Sequence, residues 1–252
     1  METKIILCGA CGKMGANVLS LLQNDTNATC VCGVDLFPKK IDVPVYPSFN
    51  DINEEADVII DFSSAQNVVE RLEYAKAHKL GIVLASTGFT DEDLQTIKDY
   101  AKDVAIFKTA NLSLGVNVMQ ALVKAAASLL GDNFDVEIIE KHHNLKKDAP
   151  SGTALMLAES VNQAFNGEKE YLYGRSGMVG ARDKNEIGMH AVRGGTIVGE
   201  HDVLFAGKDE VITLSHSATS REVFATGAMR AAHFMCGRGP GFYNMDDVIN
   251  AL

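Results

Sequence analysis

The chain has 252 residues, 46% of them hydrophobic and 22% charged, which excludes disorder and low-complexity architecture and suits one large domain or two modest ones with a full core. A formal net charge of −10, with a pI near 5.1, argues against nucleic acid and anionic membranes as partners, because phosphate neutralisation needs a basic face. No run approaches the roughly 18 consecutive apolar residues of a membrane span, and Met1-Glu2-Thr3-Lys4 lacks the features of a signal peptide, so the expected location is the cytoplasm.

The first part of the chain alternates strand and helix. Lys4 to Cys8 is a short apolar run that reads as a strand, and Lys13 to Gln23 has helical spacing, with Met14, Val18, Leu21 and Leu22 on one side. Thr29 to Val34 is a second strand ending at Asp35, and Phe37 to Asn53 reads as a looser connection. Asp57 to Asp61, Gly81 to Ala85 and Val104 to Phe107 are further strands, separated by helices over Val68 to His78 and Asp91 to Lys102. Apolar, non-alternating strands in this rhythm imply a parallel sheet with helices on both faces.

The rhythm changes after Asn111. Helices fit Val116 to Leu130 and Thr153 to Phe165, on either side of a strand from Phe134 to Glu140. Strand-like segments follow at Gly188 to Val192, Thr196 to Phe205 and Glu210 to His216, with a short turn at Lys208-Asp209. This part is α+β with an antiparallel or mixed sheet. The Ala- and Gly-rich helix from Arg221 to Met235 is expected to return and pack on the first domain.

Five scattered cysteines imply no disulfide framework. Cys8-Gly9-Ala10-Cys11 matches C-x-x-C, but no second such pair completes a zinc site, and Cys11 lies within a glycine loop that has another use. That loop, Gly9-Ala10-Cys11-Gly12-Lys13-Met14-Gly15, sits between the first strand and the first helix. Glycines suit a turn where phosphate approaches bare backbone, and the helix start offers N–H groups and a positive dipole end to a pyrophosphate. Asp35, 20 residues beyond Gly15 at a strand end, is placed to accept hydrogen bonds from ribose hydroxyls. The three glycines alone could make only a tight turn; with this context and the placed acid they read as a site for NADH or NADPH. Asp35 disfavours a 2′-phosphate, whereas Lys13, Lys39 and Lys40 soften that preference, so both nucleotides stay open. Other strand-end loops would complete the site: Asp61-Phe62-Ser63-Ser64, Ala85-Ser86-Thr87-Gly88 and Thr109-Ala110-Asn111-Leu112.

The densest chemical stretch runs from Glu137 to Ala154. Lys141, Lys146 and Lys147, with His142 and His143, form a basic island in an acidic protein, which an anionic substrate needs. Ser151 is placed to cap the next helix, where backbone N–H groups of Ser151-Gly152-Thr153 suit a carboxylate. A His and a Lys beside a bound anion also supply proton transfer. Adjacent histidines on an extended segment point to opposite sides, and no metal-ligand spacing accompanies them, so no metal is expected.

Glu137, Ile138, Glu140, His142, Lys146, Asp148 and Pro150-Ser151-Gly152-Thr153-Ala154 resemble the signature of the 4-hydroxy-tetrahydrodipicolinate reductase (dihydrodipicolinate reductase) family. The resemblance extends over most of the chain, through the glycine loop, Asp61-Phe62-Ser63, Asn111 to Asn117, Ile197-Val198-Gly199-Glu200-His201 and Ser220-Arg221. It implies a Rossmann-like dinucleotide-binding domain, 1–112 plus 219–252, and an inserted α+β domain for substrate binding and oligomerisation, 113–218. It implies His142 as general acid/base, Lys146 as proton donor, His143, Gly152 and Thr153 as substrate contacts, a dicarboxylate substrate and a homotetramer. Two departures fall on the nicotinamide side: Ala85-Ser86-Thr87-Gly88 stands where Gly-Thr-Thr-Gly is frequent, and Leu112 where Phe is common; separately, Lys13 stands where many members carry Arg, which bears on the balance between the two nucleotides. Two other functions fit the glycine loop alone: a different two-domain dehydrogenase acting on a sugar or amino-acid semialdehyde, and an NADH-binding redox regulator.

Overall fold

The computed structural model describes residues 2–251 and divides into two compact units, one running to Ser113 and resuming at Glu222, the other Leu114–Arg221. The first unit opens with β1 (Thr3–Cys8), α1 (Lys13–Leu22), β2 (Ala28–Val34) and β3 (Val45–Tyr46), then β4 (Val58–Asp61), α2 (Val68–His78), β5 (Gly81–Leu84), α3 (Asp91–Tyr100) and β6 (Ala105–Lys108). Ile5, Ile6, Leu7, Ile59, Ile60, Ile82 and Val83 are fully buried, as expected of parallel strands covered on both faces. Helix α3 starts at a reciprocal cap, Thr90 with Asp93, and carries Asp91, Glu92 and Asp93 in its first turn.

The second unit runs α4 (Leu114–Leu130), β7 (Asp135–His142), α5 (Gly152–Gln163), β8 (Glu170–Tyr173), β9 (Glu186–Arg193), β10 (Gly199–Ala206) and β11 (Val211–Ala218). Its five-stranded sheet has the order β11-β10-β7-β9-β8 and is mixed: β10 is antiparallel to β7 and β11, whereas β9 is parallel to β7 and β8. The helical stretch Leu114–Asn133, α4 with the turn that follows it, is long and apolar enough to match a membrane span by length and composition. In this fold its Met119, Val123 and Ala127 pack with Leu157, Ala158 and Val161 of α5 on Val136, Ile138, Val203 and Phe205 of the sheet. Strand β7 alternates half-buried and buried residues, so Glu140 and His142 face one way and Lys141 the other.

The chain then re-enters the first unit with α6 (Glu222–Met235), β12 (Gly241–Tyr243) and α7 (Met245–Asn250). Ala225, Ala228, Ala231 and Ala232 are fully buried on α6, and these small side chains let the helix lie close on β4 and β5. Strand β12 pairs in parallel with β6 and completes a seven-stranded sheet ordered β12-β6-β5-β4-β1-β2-β3. The order reverses between β1 and β4, which makes their C-terminal ends the topological switch point of an open α/β sheet.

Candidate active site

The glycine loop leaves β1 at that switch point. Gly9 has φ +75°, and a side chain there would stand 2.9 Å from the backbone of Phe62, the residue after β4. A side chain on Gly15 would overlap the carbonyls of Gly9 and Ala10. Only glycines permit this tight approach of loop, strand end and helix. Gly12 is the N-cap of α1 and offers no side-chain cap, so the start of α1, with Lys13 and Met14 in its first turn, presents backbone to a ligand. Asp35 follows β2. Its Oδ2 accepts from the Cys11 N–H at 3.1 Å and its Oδ1 from the Phe37 N–H at 3.1 Å, which fixes the carboxylate beside the loop. This cradle and placed acid fit a dinucleotide.

A cleft of about 580 Å³ in the same unit is lined by Met14, Ala85, Ser86, Thr87, Thr109, Ala110, Asn111 and Leu112. These residues, expected at scattered strand ends, therefore share one wall system. Phe62, Ser63, Phe89, Lys108 and Phe224 also line it. Lys108 and Phe224 were not legible as site residues in the sequence. Lys108 ends β6 and is next to Thr109, so the strand-end rule points to it. Phe224 arrives from α6, and no local pattern marks it. Burial lowers the Lys108 pKa, and its ammonium lies 5.2 Å from the Phe89 ring centroid.

The second unit carries the other group. His142, at the end of β7, is buried, and its Nδ1 lies 2.6 Å from Oε2 of Glu140. Arg193 of β9 grips both Glu140 oxygens, at 2.7 and 2.6 Å. The fork geometry makes this a strong charge-assisted pair. Burial alone would push the Glu140 carboxyl up, but Arg193 and His142 outweigh it and hold it below the usual carboxylate range. The Ser151 N–H donates to Glu140 Oε1 at 3.0 Å, and Ser151 Oγ caps α5 by accepting from the Ala154 N–H at 3.1 Å. Gly152 and Thr153 form the first helical residues, and nothing lies within 4 Å of the place a Gly152 side chain would occupy.

His143 Nε2 lies 3.4 Å from a terminal nitrogen of Arg221, and Lys146 pairs with Asp148 at 2.9 Å. His201 of β10 meets Ser151 Oγ through Nε2 at 2.9 Å and packs edge-on against His142 with ring centroids 5.2 Å apart. Burial, with His142 beside it, pulls the His201 pKa down to about 4. The basic island is smaller than its sequence suggests. Lys141 bridges Glu200 and Asp202 on the opposite face of the sheet, because β7 alternates and composition alone does not fix the phase. Arg193 and Arg221 supply cationic groups here instead. Among the described residues, no group of three or more His, Cys, Asp or Glu side chains is arranged to hold a metal ion.

A parallel sheet with a glycine-loop cradle at its switch point, in a chain whose second unit carries the His142–Glu140–Arg193 network, has the architecture of a nicotinamide-nucleotide-dependent oxidoreductase. Family models for the N-terminus and C-terminus of dihydrodipicolinate reductase match residues 3–112 and 115–249. The chain belongs to the dihydrodipicolinate reductase family. It is 50% identical over 249 residues to 4-hydroxy-tetrahydrodipicolinate reductase of Caldanaerobacter subterraneus subsp. tengcongensis, covering 99% of each chain. It is 47% identical to the Clostridium botulinum enzyme of that name, covering 98% of each. A dipicolinate-bound dihydrodipicolinate reductase from Paenisporosarcina sp. TG-14 superposes with a TM-score of 0.79 at 27% identity, over 97% of this chain and 98% of that one. A myo-inositol dehydrogenase from Corynebacterium glutamicum shares the fold alone, with a TM-score of 0.59 at 15% identity, over 100% of this chain and 93% of that one.

Proposed function

We propose that the chain reduces 4-hydroxy-tetrahydrodipicolinate to tetrahydrodipicolinate, with loss of water, in lysine and diaminopimelate biosynthesis. The observation that carries this reading is the cluster in which His142 and the capped start of α5 share Glu140, with His143 and Lys146 on the segment that joins β7 to α5 and Arg221 against His143. That cluster suits a dianionic ring and has no counterpart need in a semialdehyde or sugar dehydrogenase. In this reading one substrate carboxylate lies on Gly152 and Thr153 and is met by His143, while Ser151, expected from the sequence to share that contact, has its N–H committed to Glu140 and its Oγ to the α5 cap and His201. Lys146 donates the proton that matches the hydride, His142 assists as general acid/base, and the substrate hydroxyl leaves as water. Gly9, Ala10, Cys11, Gly12, Lys13 and Met14 hold the dinucleotide phosphates and Asp35 holds a ribose. Ala85, Ser86, Thr87, Thr109, Ala110, Asn111 and Leu112 hold the nicotinamide end. When bound, the reduced nucleotide supplies hydride.

NADH is the nucleotide that Asp35 favours, since its carboxylate accepts ribose hydroxyls and repels a 2′-phosphate. Lys13, Lys39 and Lys40 are exposed and keep NADPH admissible. A homotetramer built on the inserted unit is supported by the edge strand β11 and by exposed Val192 and Val211 on that sheet. Five free cysteines suit a reducing cytoplasm. The test of function is NADH and NADPH oxidation with substrate freshly generated from pyruvate and aspartate semialdehyde. Oxidation that depends on both precursors is expected, and its absence with both nucleotides overturns the reading.

A further inference from the structure

We infer that Glu140 is a positioning residue that fixes, with one carboxylate, both the proton-bearing nitrogen of His142 and the anion-binding start of α5. This rests on the proposed role of His142 at the reacting ring. Glu140 precedes His142 by two residues on β7, so the strand period places both on one face, opposite His201 of β10. Glu140 is 1% exposed.

The carboxylate receives four contacts. Oε2 takes His142 Nδ1 at 2.6 Å and an Arg193 nitrogen at 2.7 Å; Oε1 takes the other Arg193 nitrogen at 2.6 Å and the Ser151 N–H at 3.0 Å. An ionised carboxylate has about four acceptor positions and no donor, so all are used. Arg193 itself is anchored to the backbone carbonyl of Asp148 at 2.7 Å and stands opposite His142 in the β7–β9 register. The guanidinium therefore holds Glu140 as an anion, and an anion accepts only. His142 Nδ1 must then carry hydrogen, and in the neutral ring Nε2 is left bare to take or return a proton.

Access to Nε2 has its own device. A side chain on Gly199, at the start of β10, would stand 3.1 Å from His142 Nε2. Glycine at this point keeps the approach to that nitrogen clear. On the other side of Glu140, Ser151 is held by its N–H while its Oγ caps α5 and meets His201. The ring and the helix start are thus tied to the same anion and hold one relative geometry.

A buried Glu–Arg pair could serve the fold alone, so the test reads what a structural role would not move. The ring nitrogens of His142 are observed by 15N NMR in the full chain, with the signal assigned through His142→Ala. The Nδ1–H tautomer is expected in the wild type; an Nε2–H tautomer overturns the inference without any variant. In Glu140→Gln, whose amide donates as well as accepts, the tautomer should become mixed. Turnover should fall about 10²–10⁴-fold, the range of general acid–base catalysis and of a mis-set histidine. NADH affinity should stay within about twofold, since Glu140 lies outside the nucleotide cleft. In the His142→Ala background, Glu140→Gln should cost no further turnover; a full additional loss means that Glu140 acts by another route. Should Glu140→Gln fail to fold, Gly199→Ala takes its place: the tautomer is retained while turnover drops about tenfold or more, and unchanged turnover counts against the inference. Wild-type turnover on fresh substrate is the control that separates the two proposals. Its absence sinks the proposed function, whereas its presence with an indifferent Glu140→Gln sinks only the positioning role.

Discussion

Asp61 and Arg71 form an ion pair at 2.9 Å in which the carboxylate is fully buried and the guanidinium side chain only 8% exposed. Asp61 ends β4 beside the switch point and reaches toward the turn after β5. Its Oδ1 accepts from the Ser63 N–H at 2.9 Å and from Ser63 Oγ, and its Oδ2 accepts from Ser86 Oγ at 3.3 Å. Arg71 in turn donates to the Ser64 carbonyl at 2.6 Å. One buried pair thereby ties together the turns after β4 and β5, and both turns line the nucleotide cleft.

Removing one partner leaves a charge in a dry site. Arg71→Met should therefore destabilise the protein by about 3–5 kcal/mol, read by urea unfolding. The same variant should weaken NADH binding about tenfold or more, read by fluorescence titration, because Asp61, the common anchor of Ser63 and Ser86, loses the cation that holds it. A loss below about 1 kcal/mol would show the pair to be replaceable.

In the proposed function, Asp35 acts on nucleotide choice through charge. Asp35→Ser removes the repulsion of a 2′-phosphate and leaves the lysines nearby. The ratio of kcat/KM for NADPH to that for NADH should rise about tenfold or more, corresponding to about 1.4 kcal/mol. A ratio that does not move would place the ribose elsewhere.

Lys146→Ala deletes the assigned proton donor without touching the nucleotide cleft. Turnover should fall about 10²–10⁴-fold while NADH affinity changes by less than about twofold. Surviving turnover would transfer the proton to another group in the cluster.

The inserted unit should be the acid-labile one. Burial alone would raise the Glu137 carboxyl, but Arg175, Arg182 and His190 pull it to about 2. The native pKa is depressed, so the unfolded chain binds more protons between roughly pH 4.5 and 2, and stability falls as pH falls through that window. The span corresponds to about 3 kcal/mol. His201, pulled down to about 4 by burial, adds the same sign of dependence higher up, between roughly pH 6.5 and 4. Glu137→Gln should flatten the lower part of the curve, measured as melting temperature against pH.

The features that local chemistry dictates were legible in the sequence. The glycine loop, the acid at Asp35, the cap at Ser151 and the changed rhythm after Asn111 all follow from short-range pattern. Strand phase was harder. Lys141 counts as positive charge beside His142, yet its side chain belongs to the other face of β7. Strands β3 and β12 have too few residues for a period, and Val45–Tyr46 lies within a stretch that reads as loop. Helix α7 did carry a signal, since Asn244 and Asp247 form a reciprocal cap. Arg193 and Arg71 reach their partners only through sheet pairing and helix packing, and no local spacing announces either.

The sheet that carries the glycine loop is closed by residues at the far end of the chain, with α6 covering β4 and β5 and β12 completing the edge beside β6. During synthesis the stretch up to Ser113 leaves the ribosome first but must wait for that late helix and strand. The Leu114–Arg221 unit is one unbroken stretch and can consolidate while translation continues. The half made first is thus the last to be completed, because the helix that covers its strands and the strand that finishes its edge are translated last.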